Sequence, residues 1–212
     1  FSWNSEKSIG LCAAQKNEKL SKMAEKSRIE MQRRKKMEKI RWGVLGTAGI
    51  ARDCSIPGMQ KAENCERYGI AGRSLKKAED YKDMFGFEKA YEGYEALLSD
   101  PKVQAVYIPL PNNLHYEWVK KAIAAGKHVL CEKPMSYDRT ELIAMGEKAR
   151  QTGRVLSICH VLRYSPFFVK LKELIDSGAI GQLVSIQHIE SVGYWHMAHS
   201  FVRGNWSRSE DS

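Results

Sequence analysis

The sequence predicts an α/β fold, a doubly wound parallel sheet with helices on both faces, followed by the truncated start of a second α/β domain. Three observations predict it. Short apolar runs alternate with helical stretches from Ile40 to about Ile158. The runs are continuously apolar rather than alternating, as strands buried on both faces are. The first run ends in a small-residue turn, "VLGTAGIA", that leads directly into a helical stretch.

In chain order, "IRWGVLG" at 40–46 reads as the first strand and "IARDCSIPGMQ" as a helix. "RYGIAGR" at 67–73 reads as the second strand, and "SLKKAEDYKDMFG" as a helix closed by Gly86. "YEGYEALLSDP" carries a short helix that stops at a Ser-Asp-Pro turn, and "VQAVYIPLP" at 103–111 is a strand bounded by prolines. The clearest helix is "NNLHYEWVKKAIAAG". Asn113 suits its N-cap, and Gly126 suits the position past its end. Leu114, Trp118, Ala122 and Ala125 form its apolar stripe, widened by Val119 and Ile123. "HVLC" is the next strand, and Asp138 and Glu141 have capping-box spacing for a helix to about Thr152. "RVLSICHVL" at 154–162 reads as a further strand. Beyond Tyr164 the rhythm changes: a helix, "PFFVKLKELIDSG", leads to a longer strand pattern, "QLVSIQHIESVGYW", at 182–195. The division is then a leader at 1–36, a nucleotide-binding domain at 37–158 and an incomplete substrate or dimerisation domain at 159–212.

The turn after the first strand carries the first chemistry. Small residues there let a backbone approach a pyrophosphate at a helix N-terminus. Gly46, Ala48 and Ala51 hold the three positions of a G-x-G-x-x-G/A pattern, with Gly49 adjacent and Ile50 entering the helix. An acidic residue at the end of the second strand would bind a ribose 2′-hydroxyl. That strand ends instead in Gly72-Arg73-Ser74, with Lys76 and Lys77 behind. An arginine beside a hydroxyl suits a 2′-phosphate, so NADP is favoured over NAD, and NAD remains open. Pro109, Pro111, Asn112 and His115 follow the strand at 105–108, and Glu132-Lys133-Pro134 follows "HVLC". In open α/β sheets ligands lie beyond the carboxyl ends of the strands, where all these segments meet. A partly buried lysine there serves as a general acid or base, with Glu132 bonding a ribose or orienting Lys133, and Pro134 fixing the turn.

Composition excludes several other classes. With 43% hydrophobic and 28% charged residues the chain is ordinary globular material. No apolar run approaches the roughly 20 residues of a membrane span. The five cysteines are scattered with no close-spaced pair, which argues against a zinc site and a disulfide framework and suits a reducing cytoplasm. His196 and His199 lack a convergent third ligand, so no metal is expected. The net charge of +9 is uneven: residues 1–40 hold 11 Lys/Arg against 5 Asp/Glu. That leader has little apolar periodicity and no interleaved aromatics in its basic stretch, which disfavours nucleic-acid binding. Met37 follows Arg33-Arg34-Lys35-Lys36, residues that purine-rich codons like those of a bacterial ribosome-binding site can encode. Residues 1–36 therefore read as translated leader, with the start at Met37.

"WGVLGTAGIA", "AVYIPLPNNLHYEWVKKAIAAGKHVLCEKPM" and "RYSPFF" resemble the glucose-fructose oxidoreductase / inositol dehydrogenase / rhizopine-catabolism (Gfo/Idh/MocA) family. The resemblance covers Lys39 to the C-terminus, and the 105–135 block is its most specific part. It implies a Rossmann domain followed by an α/β domain on a large open sheet. It implies NAD(P)-dependent hydride transfer on a C–OH or C=O group of a sugar, inositol or diol-like molecule, and a homo-oligomer for the full-length protein. By that resemblance Lys133 is the catalytic lysine, Glu132 a nicotinamide-side contact, Asn112 and His115 cofactor-lining residues, and Arg163 part of the segment turning toward the substrate domain.

Three features depart from the family pattern. No Asp-x-x-x-His segment occurs in residues 165–212. Fewer residues follow Tyr164 than the family's substrate domain needs. The block through Met135 is similar to the dihydrodiol / xylose dehydrogenase branch, and the segments from 159 on to another branch, which puts a join within 135–157. The competing function is a non-catalytic NADP-binding sensor or regulatory module.

Overall fold

The computed structural model describes residues 38–189, together with Glu25. The leader, Met37 and the aromatic tail from residue 190 otherwise lie outside the described residues. The described chain builds one six-stranded sheet, all parallel, in the order β3-β2-β1-β4-β5-β6. The strands are β1 (Ile40–Leu45), β2 (Cys65–Gly72), β3 (Lys89–Glu92), β4 (Ala105–Ile108), β5 (His128–Cys131) and β6 (Leu156–Ile158). The helices are α1 (Ile56–Lys61), α2 (Leu75–Phe85), α3 (Tyr94–Ser99), α4 (His115–Ala124), α5 (Arg139–Thr152) and α6 (Pro166–Asp176). The strand order reverses between β1 and β4, which opens a crevice beyond their carboxyl ends.

Two apolar layers sandwich the sheet. On one side Val44, Ile70 and Tyr107 pack with Ala51, Ile56 and Phe87, backed by Tyr81 and Phe85 of α2. On the other, Val106, Ile108 and Val129 pack with Leu97 and Leu98 of α3, Trp118, Val119, Ala122 and Ile123 of α4, and Met145 and Ala149 of α5. Close approach of helix and sheet needs a glycine at 43: a Cβ there would lie 2.5 Å from a Leu97 methyl.

The edge opposite the crevice is pinned by Asp100. Its Oδ2 accepts from Tyr91 (2.7 Å), Tyr68 (3.1 Å) and Lys89 (3.1 Å), and its Oδ1 from the Lys102 amide (2.8 Å). Burial works against the Asp100 charge, yet hydrogen bonds from Tyr91, the Lys102 amide, Lys89 and Tyr68 hold its carboxyl well below the usual carboxylate range. The buried Lys127 ammonium donates to the Asp100 and Val103 carbonyls at 2.7 and 2.8 Å. Burial lowers the pKa of Lys127, and the charge of Asp100 opposes that shift.

The structure corrects several sequence expectations. β3 was not expected, because "KAYE" carries little apolar signal. The first helical stretch opens as a π turn, Ala51–Ser55, before α1. Asn113 does not cap α4: a 3-10 turn at Asn112–Leu114 precedes it, so the helix N-terminus is entered without a side-chain acceptor. The strand expected at 154–162 is only Leu156–Ile158, because the chain then turns into a 3-10 segment at Val161–Tyr164. The strand expected at 182–195 has no regular structure over its described part, 182–189, where no strand among the described residues offers a ladder. Half of the capping box expected at α5 forms: Asp138 Oδ1 accepts from the Thr140 and Glu141 amides at 2.5 and 3.4 Å, whereas the Asp138 amide donates to Ser136 Oγ at 3.0 Å rather than to the Glu141 carboxylate. These backbone donors lower the Asp138 pKa.

Candidate functional site

β1 ends in Gly46 with φ +114°, a conformation that side chains rarely adopt. A Cβ at this position would also lie 3.0 Å from a Leu110 methyl, a tight contact that adds to the demand of the backbone for glycine. The chain then enters the π turn through Ala48 and Gly49. Beside this turn lies a cleft of about 520 Å³ at the switch between β1 and β4. Its walls are Gly46, Thr47 and Ala48 after β1, Arg73, Ser74 and Lys77 after β2, Tyr94 of α3, and Pro109, Leu110 and Pro111 after β4. Among the described residues no carboxylate lines it. Arg73, Ser74 and Lys77 are exposed donors at one end. Burial raises the Tyr94 pKa, and the nearby Arg73 charge pulls it the other way.

Five of the expected site residues line this cleft: Gly46, Ala48, Arg73, Ser74 and Pro109. Gly49 and Ile50 open the helical turn behind it, and Ile50 is 46% exposed. Thr47, Lys77, Tyr94, Leu110 and Pro111 complete the walls. Tyr94 and Leu110 carry no local motif, since they reach the cleft through the fold rather than by spacing from the glycine turn.

Glu132, Lys133 and Pro134 do not line the cleft itself. They form a corner just beyond β5, and the Glu132 amide donates to the Ile108 carbonyl at 3.0 Å, which joins the corner to the end of β4. The Glu132 carboxylate accepts from the Tyr107 hydroxyl at 2.8 Å and from the Lys133 amide at 3.2 Å. The Lys133–Pro134 peptide is cis. Lys133 is exposed rather than partly buried as expected, because the corner turns out of the sheet beyond β5, and among the described residues its ammonium has no hydrogen bond or ion pair. In this structure Glu132 orients the Lys133 backbone rather than pairing with its side chain.

Two residues expected to line the cofactor are placed otherwise. His115 is fully buried. Its Nδ1 lies 2.7 Å from the Pro134 carbonyl and its Nε2 2.8 Å from the Leu110 carbonyl. The ring is therefore a strut between the cleft wall and the Glu132-Lys133-Pro134 corner, with no face left for a ligand. The sequence held the signal: Trp118, Val119, Ala122 and Ile123 lie three, four, seven and eight residues beyond His115, which puts it on the core face of α4. Asn112 Nδ2 donates to the exposed Tyr137 hydroxyl at 2.6 Å, outside the cleft walls. Arg163 sits exposed in the 3-10 segment after β6 and does not reach the cleft.

This geometry can now be set beside known proteins. The model of an oxidoreductase family with an NAD-binding Rossmann fold, Gfo/Idh/MocA, matches residues 40–160. The chain belongs to the Gfo/Idh/MocA oxidoreductase family. It is 41% identical over 145 residues to a D-xylose 1-dehydrogenase (NADP(+)) of Haloferax volcanii, covering 68% of this chain and 44% of that enzyme. It is 33% identical over 169 residues to the trans-1,2-dihydrobenzene-1,2-diol dehydrogenase of Mus musculus, covering 75% of this chain and 50% of that one. Among solved structures it resembles KijD10, a 3-ketoreductase from Actinomadura kijaniata in complex with NADP and TDP-benzene. The TM-score is 0.63 at 37% identity, over 68% of this chain and 44% of that one. The chain thus spans about half the length of the Gfo/Idh/MocA relatives it matches. The family match ends at His160, next to the end of β6, so the sheet and its crevice are the Gfo/Idh/MocA cofactor domain.

Among the described residues no helix is long and apolar enough to cross a membrane, and no cluster of three or more His, Cys, Asp or Glu could hold a metal ion.

Proposed function

We propose that the chain is the cofactor-binding part of an NADP-preferring oxidoreductase. The reaction is hydride transfer at a C–OH or C=O carbon of a sugar, inositol or diol-like small molecule. The observation that carries the reading is the cleft at the switch between β1 and β4. There a glycine turn meets an end lined by Arg73, Ser74 and Lys77 and by no carboxylate.

The residues fit the dinucleotide. The Gly46–Ala48 turn leaves backbone bare where a pyrophosphate approaches. Arg73 offers a planar set of donors, Ser74 a hydroxyl and Lys77 an ammonium to a 2′-phosphate. An acidic side chain would repel that group, and none of the described residues brings one there. NADP(H) supplies or accepts the hydride. Lys133, exposed at the corner with no partner among the described residues, holds or gives the proton of the substrate hydroxyl at Nζ. Glu132 and Pro134 hold the backbone on either side of it.

The relatives named for D-xylose and for a dihydrodiol, and the ketoreductase with a TDP ligand, support a polyhydroxylated or diol substrate. The division at Ile158 is supported by packing: from His160 to Ile189 nearly every described residue is exposed, including Phe167, Val169, Leu171 and Leu174 of α6. In the reading proposed here these surfaces belong to a substrate and dimerisation domain, in a homo-oligomer of the cytoplasm.

The test is titration with NADPH and NADH, followed by nicotinamide fluorescence. NADPH binds more tightly than NADH, and Arg73→Ala removes most of that preference. Equal affinity for both cofactors in the unaltered chain would overturn the NADP assignment. In the full-length enzyme Lys133→Met loses turnover and keeps NADPH affinity, whereas a sensor changes in neither.

A further inference from the structure

Glu132 is held by more than its own turn. Tyr107 lies in the middle of β4, and its ring is fully buried on the α1–α2 side of the sheet. Its hydroxyl donates to Glu132 Oε1 at 2.8 Å. The Ser55 hydroxyl donates in turn to the Tyr107 oxygen at 2.7 Å. The direction of this string is fixed by chemistry: an ionised carboxylate only accepts, so the phenol must donate to it, and the phenol oxygen is then free to accept from Ser55. Burial, followed by the nearby Glu132 carboxylate, keeps the phenol protonated well above its ordinary range, and the Ser55 donor opposes that shift.

The three residues come from separate parts of the site. Ser55 is the last residue of the π turn, on the helical segment that follows the Gly46 turn. Tyr107 belongs to β4, and Glu132 follows β5. π turns inside helices recur at functional sites. Here the turn delivers a hydroxyl to the sheet at a point where the rest of the layer is apolar: Val44, Ala51, Ile56 and Ile70. A polar string through an apolar layer is costly unless every member is satisfied. Tyr107 makes one donation and one acceptance, and is satisfied by them.

We infer that Tyr107, supported by Ser55, is a positioning residue that sets the Glu132 carboxylate for the nicotinamide end of the bound dinucleotide, an inference that rests on the function proposed above. The string also ties that carboxylate to the helical segment that receives the pyrophosphate. Seating of the pyrophosphate and placement of Glu132 are thereby parts of one rigid unit.

The test uses the full chain and two probes, NADPH and adenosine 2′,5′-bisphosphate. The second probe reaches only the Arg73 end of the cleft. Tyr107→Phe keeps the ring and deletes the hydroxyl. It lowers NADPH affinity about five- to tenfold, the effect of one ordinary hydrogen bond, and leaves bisphosphate affinity unchanged. Ser55→Ala, a smaller change that leaves Tyr107 in place, shifts NADPH affinity in the same direction by less. Combining Tyr107→Phe with Glu132→Gln gives less than the product of the two single effects, because both act through one carboxylate.

Unchanged NADPH affinity in Tyr107→Phe overturns the inference. An equal loss for both probes also overturns it, since it marks a general folding defect. If the unaltered chain binds neither probe, the proposed function fails and the inference falls with it. Binding of both probes with no selective loss leaves the proposed function standing and removes only the role of Tyr107.

Discussion

Replacing His115 with alanine removes the strut between the cleft wall and the Glu132-Lys133-Pro134 corner. The imidazole is fully buried and bridges the Leu110 and Pro134 carbonyls at 2.8 and 2.7 Å. A neutral ring donates to one of these carbonyls and a doubly protonated ring to both. The loss is therefore one or two hydrogen bonds, at about 1 kcal/mol each. The imidazole leaves a void of roughly 60 Å³, which at about 24 cal/mol per Å³ adds ~1.5 kcal/mol. The total is about 2.5–3.5 kcal/mol, or a fall in Tm of roughly 5–14 °C for a chain of this size. Scanning calorimetry measures it directly. His115→Leu refills most of the volume without a donor, so it recovers the cavity part of the loss and none of the polar part. NADPH affinity falls in both variants, because Leu110 packs on the Gly46 turn and is released. A Tm within about 2 °C of the unaltered chain for His115→Ala would refute the reasoning. It would mean that the two loops are held together by other contacts and that the ring is an incidental neighbour.

Two further predictions follow from groups away from the cleft. The Asp100 carboxyl has a folded pKa below its unfolded value, so its stabilisation is present above the ordinary carboxylate range and is lost as pH falls through that range toward the folded value. Asp100→Asn therefore lowers Tm at pH 7 and flattens the loss of Tm on acidification below about pH 4; an acid profile parallel to that of the unaltered chain would exclude Asp100 as its source. Among the described cysteines, Cys54 is exposed, whereas Cys131 is buried with its thiol pushed up, and Cys159 is pushed up to about 12, in both cases first by burial. Iodoacetamide at pH 8 therefore labels Cys54 well before Cys131 or Cys159, as read by peptide mass mapping, and early labelling of Cys131 would show that the end of β5 opens in solution.

What was legible in the sequence is what lies next to a strand end. Gly46, Ala48, Arg73, Ser74 and Pro109 each follow the last residues of an apolar run, and the crevice of a doubly wound sheet collects such residues wherever they fall. The alternation of runs and helices was enough to give the sheet and its helices. β3 escaped because its four residues, Lys89–Glu92, hold only Ala90 and Tyr91 as apolar members, and a short edge strand is fixed by its pairing with β2 rather than by its own pattern. Tyr94 escaped with it. His115 was misassigned for a different reason: a histidine near a binding loop suggests a ligand contact, while its position on the α4 stripe marks it as core. The Tyr107 string was invisible, since Ser55 and Glu132 stand 52 and 25 residues from Tyr107 and no local pattern joins them.

The two struts act on the same three residues from opposite faces of the sheet. His115 belongs to α4, on the side of Trp118 and Val119, and holds the Pro134 carbonyl. Tyr107 belongs to the other layer, with Val44 and Ile70, and holds the Glu132 carboxylate. Lys133 lies between two fixed neighbours, and it alone of the three has no side-chain or carbonyl tie among the described residues. In the function proposed above, an ammonium that transfers a proton needs this combination. Its backbone must be placed to within about half an ångström, and its Nζ must stay free to meet a hydroxyl. An ion pair with Glu132 would spend that freedom and raise the lysine pKa. By engaging Tyr107 and the Lys133 amide instead, Glu132 fixes the corner without occupying the group that the proposed chemistry uses.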